Sequence, residues 1–112
     1  MIYTSNAFVL PLPSGHRFPM AKYARLAERV ARLAGPLMHV PDAATDAELL
    51  RAHDAGYVDA VSRGTLDERA LRRIGFPWSP AMVERSRRSA GATLAACRSA
   101  LARGVGINLA GG

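Results

Sequence analysis

From Ser79 to Gly104 the chain reads as one long helix, and a short buried strand, Val105-Gly106-Ile107-Asn108-Leu109, follows at once. Ser79-Pro80 is a strong helix start, a capping hydroxyl followed by proline at the first helical position. Val83, Ala90, Leu94, Cys97 and Leu101 recur at helical spacing and form the expected inner face, with Arg85, Arg88, Arg98 and Arg103 pointing away. Gly91 interrupts this helix at its centre, where glycine costs about 1 kcal/mol against alanine. Close packing against another element is the expected reason for it. A helix that returns directly to a strand requires a sheet to pack on, which restricts the chain to α/β architecture.

The rest of the chain fits that restriction. Ile2-Tyr3-Thr4 is a β-prone opening, and Pro11, Pro13, Ser14-Gly15 and Pro19 make a loop of the next stretch. A helix is predicted from about Met20 to Ala34 on Tyr23, Leu26, Ala27, Val30 and Ala34, stopped by Gly35-Pro36 with the glycine in a left-handed cap. Leu37-Met38-His39-Val40 is the second strand. Thr45-Asp46-Ala47-Glu48 is a capping box for a helix ending near His53, Asp54 caps a helix from Ala55 to Arg63, and Thr65-Leu66-Asp67-Glu68 repeats the box. Strand, helices, strand, long helix, strand predicts a mostly parallel sheet.

Bulk properties narrow the function. At 112 residues this is one domain or a piece of one. No apolar run approaches the roughly 20 residues of a membrane span. The first residues lack the basic region and unbroken apolar run of a secretory signal. A single cysteine, Cys97, excludes an internal disulfide or a cysteine zinc cage and fits a reducing, cytoplasmic setting, with the thiol read as an inert core group. The net charge of +6 invites a nucleic-acid reading. Its arginines spread over at least three helices rather than one stripe, so nucleic acid is not the expected partner.

His16, His39 and His53 have no zinc-site spacing and are read as structural. The Ser86 to Ser89 run is read as a solvated helix face before a phosphate patch. Three features look more specific. Arg17 is a cation just ahead of a helix N-terminus, where the helix dipole disfavours it, so it is expected to have a partner elsewhere. Phe76-Pro77-Trp78 is rigid and suits core anchoring or a pocket wall. Gly111-Gly112 would let backbone approach a ligand.

The stretches GHRFPMAKY, LLRAHDAGYVDAV, RRIGFPWSPAMVERSRRSAGATLAA and VGINLAGG, taken together and in order, resemble the N-terminal part of the bacterial histone deacetylase family, which includes acetoin-utilisation proteins and acetylpolyamine amidohydrolases. The resemblance implies a zinc-dependent hydrolase of acetylated amines, acetyl-lysine or acetylpolyamine, on the three-layer arginase/deacetylase α/β fold with a central parallel sheet. In that family the Gly-Gly pair is followed, after one residue, by two acid/base histidines. They work beside a metal held by two aspartates and a histidine, and a later tyrosine stabilises the oxyanion.

None of these residues lies within the 112, so the resemblance makes the chain an N-terminal fragment of a single deacetylase domain, expected to bind no zinc tightly and to be inactive alone. By the same resemblance Tyr3 and Arg17 line the foot of the pocket and its internal channel, and Gly111 and Gly112 form the pocket wall. Asp54 lies near the substrate rim but is one position off the family's aspartate, with Ala55 in the matching place, so capping is its assigned role. The fragment is expected to expose an unpaired strand edge and to be poorly stable. The alternative function is a non-catalytic module that docks on a partner protein.

Overall fold

A computed structural model describes residues 1–110 of the chain. Three two-residue strands, β1 (Ile2–Tyr3), β2 (Met38–His39) and β3 (Ile107–Asn108), form a parallel sheet in the order β2-β1-β3. Ile2 sits opposite Met38 and Ile107, and Tyr3 opposite His39 and Asn108. Backbone pairing runs on past the strands, with Ile107 N–H donating to Met1 O, Leu109 N–H to Tyr3 O and Thr4 N–H to His39 O. The mixed α/β class and parallel sheet are as expected from the alternation of elements.

The helices are α1 (Lys22–Ala34), α2 (Asp46–Leu49), α3 (Ala55–Arg63), α4 (Glu68–Ile74) and α5 (Pro80–Arg103). The Thr45/Glu48 capping box forms in full, and Asp54 and Ser79 cap α3 and α5. Asp67, not Thr65, caps α4, accepting from Ala70 N–H at 2.7 Å, which shortens that helix by two residues against expectation. Gly35 also differs: its φ of −47° continues a right-handed path into a 3-10 turn, Gly35–Leu37, because Pro36 is accommodated at the first turn of that segment.

Helix α5 packs on β1 and β3, and the face it presents is not the one its apolar residues mark. Met82, Arg85, Gly91, Ala92, Ala96 and Ser99 are buried, whereas Leu101 is 90% exposed and Cys97 is exposed. The close approach expected at Gly91 is present: a Cβ there would fall on the Asp42 carbonyl oxygen. Residues 41–44 are clamped across that gap by Ala44 N–H donating to Arg87 O (2.9 Å) and by Arg88 Nη1 donating to Pro41 O (2.8 Å). Gly106 serves the turn into β3 in the same way, lying against the Ala96 carbonyl.

The molecule is a slab of 42 × 35 × 17 Å with a radius of gyration of 15.0 Å, where about 13 Å is usual for this length. It exposes 7436 Å², roughly 1,400 Å² more than a compact 12.0 kDa monomer.

Candidate functional site at the carboxyl ends of β1 and β3

The chain leaves β1 to form β2 on one side and returns to form β3 on the other, so the direction of winding reverses at β1. In α/β sheets such a reversal, here between β1 and β3, marks the carboxyl strand ends where a ligand crevice is expected. Both strand exits are held by α5. At β3, Asn108 Nδ2 donates to Thr93 Oγ1 (2.9 Å) and Ser89 O (3.3 Å), and its Oδ1 accepts from Ala110 N–H (2.9 Å). One side chain thus ties the strand to the helix and sets the path on which the chain leaves.

At β1, Ser5 is 1% exposed, and Arg85 donates from Nη1 to both its carbonyl (2.8 Å) and its Oγ (2.7 Å). Arg85 is itself 8% exposed and its guanidinium lies 4.5 Å from the centre of the Tyr23 ring. Among the described residues no carboxylate reaches it; the adjacent Glu84 is engaged by Arg88 Nε at 2.8 Å. Arg85 lines a cleft of about 650 Å³ with largely apolar walls, including Leu10, Phe18, Leu49, Phe76 and Met82. Phe18 and Phe76 meet edge to face at 5.1 Å. His16 accepts from Phe18 N–H at Nδ1 (3.1 Å), so its Nε2 carries the proton and donates to Gly75 O (3.3 Å), fixing the loop to the end of α4.

Glu48 also borders the cleft, but its charge is taken up. Arg98 Nη2 donates to it at 2.6 Å and Thr45 N–H at 2.9 Å, and these bonds, Arg98 first, hold its carboxyl below the usual carboxylate range.

The residues singled out in the sequence are dispersed. Tyr3 is half-buried on the α5 side of the sheet, its ring 6.1 Å from that of His39. Arg17 is exposed and has no partner among the described residues. Asp54 is exposed and accepts from Tyr57 N–H at 3.2 Å, the capping role. Gly111 and Gly112 lie outside the described residues. Trp78 donates from Nε1 to Val61 O (2.7 Å) and lies against Gly64, so it terminates α3 as an anchor.

The Ser86 to Ser89 run is no open face: Arg87 pairs with Asp46 at 2.7 Å and Arg88 with Glu84, both half-buried. Among the described residues no three His, Cys, Asp or Glu side chains gather where they could hold a metal ion. No described helix is long and apolar enough to cross a membrane. Sequence reasoning missed Ser5, Arg85 and Asn108; the 80-residue separation of Ser5 and Arg85 leaves no local signal, while Asn108 is a polar residue inside an apolar strand and could have been flagged.

No family model matches the chain. An uncharacterized protein of Picosynechococcus sp. is 38% identical over 109 residues, which cover 94% of this chain. The match spans 36% of that relative's length, so the chain corresponds to little more than a third of the protein it resembles.

Proposed function

We propose that this chain is the N-terminal segment of a zinc-dependent amidohydrolase of the histone deacetylase type, on the arginase/deacetylase fold, that removes acetyl groups from lysine or polyamine amines in the cytoplasm. The observation that carries the reading is the reversal of winding at β1. Such a reversal marks the strand ends where α/β enzymes bind ligands, and β3 ends beside it. The relative's additional length is consistent with a catalytic portion beyond the matched region.

The described residues do not fit a zinc centre. The two aspartates and the histidine the reading requires would come from sequence outside this chain, as would the acid/base histidines. Bound zinc would polarise the acetamide carbonyl. What this chain supplies is the foundation: Asn108 and Arg85 fix the two strand ends on either side of the crevice.

The test is acetate release from an acetyl-lysine peptide and from N-acetylputrescine by the purified Picosynechococcus relative, zinc-replete and after chelation. Zinc-dependent release from either, with none from the 112-residue chain alone, is expected. No release from either substrate by the zinc-replete relative refutes the proposal. The excess exposed surface also suits the docking-module reading; capture of an intact deacetylase by this chain, without turnover by the relative, would favour that instead.

A further inference from the structure

A charged side chain removed from water without a counter-charge is costly, so an arginine as buried as Arg85 ordinarily faces a carboxylate. Here the cation rests on a tyrosine ring and two serine oxygens. Nη1 makes both hydrogen bonds, and the Nε and Nη2 donors pair with nothing among the described residues. No buried side-chain nitrogen is left unsatisfied among those residues, so these donors keep contact with solvent, and Arg85 is one of the residues that line the cleft. A guanidinium presents its free edge in the fork geometry that matches a carboxylate.

The surroundings agree in sign and in shape. The cleft's own acid, Glu48, is neutralised by Arg98. Lys22 adds a second cation at the aromatic wall, its Nζ 4.9 Å from the centre of the Phe18 ring and 5.0 Å from that of Tyr23. A volume of about 650 Å³ lies within the range that encloses a small organic ligand, and a mostly apolar lining with one convergent charged group is the usual pattern of such a pocket.

We infer that the Arg85 cleft binds a carboxylate carried on an apolar body, the carboxylate meeting the free edge of the Arg85 guanidinium and the apolar part lying among Leu10, Phe18, Phe76 and Met82. The inference does not depend on the deacetylase reading: it uses no metal, and its test involves no turnover.

The probe is 3-phenylpropionate, with 3-phenylpropionamide as the isosteric neutral control, titrated into the 112-residue chain and followed by thermal shift and by the Arg85 Nε–H resonance. The acid is expected to raise the melting temperature and move that resonance, with the amide weaker by roughly tenfold or more because the charge-assisted bonds are lost. Arg85→Met should abolish the preference for acid over amide, and Arg85→Lys should retain part of it. Should Arg85→Met not fold, the acid and amide pair on the unaltered chain still decides.

Equal binding of acid and amide, or binding of the acid without movement of the Arg85 resonance, overturns the inference, as does no binding of either. A blocked Leu-Glu-Leu peptide distinguishes the source of the carboxylate: tighter binding than the free acid assigns it to a polypeptide side chain, weaker binding to a small molecule.

Discussion

Gly91→Ala is the substitution for which the fold and helix propensity make opposite predictions. In an exposed helix interior the change gains about 1 kcal/mol. In this chain the new methyl group meets backbone, the Asp42 carbonyl above all, with Ala44 N 3.0 Å from the same point. Side chains could rotate away, but residues 41–44 cannot move without giving up their hydrogen bonds to α5. Pro41 and Ala44 are also among the most buried residues of the chain.

Overpacking of this kind costs about 1–3 kcal/mol, and the two strained hydrogen bonds add about 1 kcal/mol each. Against the propensity gain, the net loss is about 2–4 kcal/mol. For a domain of this size that lowers the melting temperature by roughly 10–20 °C. Circular dichroism at 222 nm during heating, with urea titration as a second axis, measures it. A Gly91→Ala chain that melts at or above the unaltered one would show that the loop is not seated on α5, and the argument from close approach would fail.

Gly35→Ala is the companion test, since φ is −47° there and nothing lies within 4 Å of the added methyl; it should be neutral or stabilise by up to about 1 kcal/mol, whereas a left-handed cap would make it destabilising. Trp78→Phe removes the bond from Nε1 to the Val61 carbonyl and should cost about 1 kcal/mol, read as a fall of several degrees in the same melt; an unchanged melt would mean the indole is not an anchor. Glu48→Gln should destabilise at neutral pH and lose its effect in acid. The Glu48 carboxyl is held below its ordinary value in the folded chain, so its contribution is present above the unfolded value and disappears as pH falls through the folded one. A pH-independent difference between the two chains would contradict this.

The elements were legible in the sequence because their signals are local. Thr45-x-x-Glu48, Ser79-Pro80, Asp54 and the terminal Gly64 and Gly104 act within four residues, and each performs the predicted task. Gly91 was legible too, as a cost within a helix that needed a reason. The inner face of α5 was not. The rule that apolar residues point inward selects Val83, Ala90, Leu94, Cys97 and Leu101, whereas the buried positions are Met82, Arg85, Gly91, Ala92, Ala96 and Ser99. Small residues are needed where a helix lies close to a sheet and a loop, and hydropathy ranks them below leucine. Arg85 was read as solvent-facing for the same reason: what makes its burial tolerable is Ser5 and Tyr23, 80 and 62 positions earlier in the chain.

The displaced apolar residues carry the remaining argument. With α5 turned so that its small residues face the sheet, Leu101 is left 90% exposed, and Val105 and Ile107 beyond the helix end are 60% and 43% exposed. Ile107 belongs to β3, which pairs with β1 on one side and with no described strand on the other. An apolar surface beside an open parallel edge is the arrangement that leads to pairing with further chain, because edge donors and apolar side chains are both left to water. In a compact monomer these residues would be the core. An interface of standard size buries about 800 Å² on each partner, so it would cover little more than half of the excess exposed area. The two readings of α5 therefore divide along the helix: Gly91, Ala92, Ala96 and Ser99 are buried, while Val83, Ala90 and Leu94 are half-buried and Leu101 is left to water.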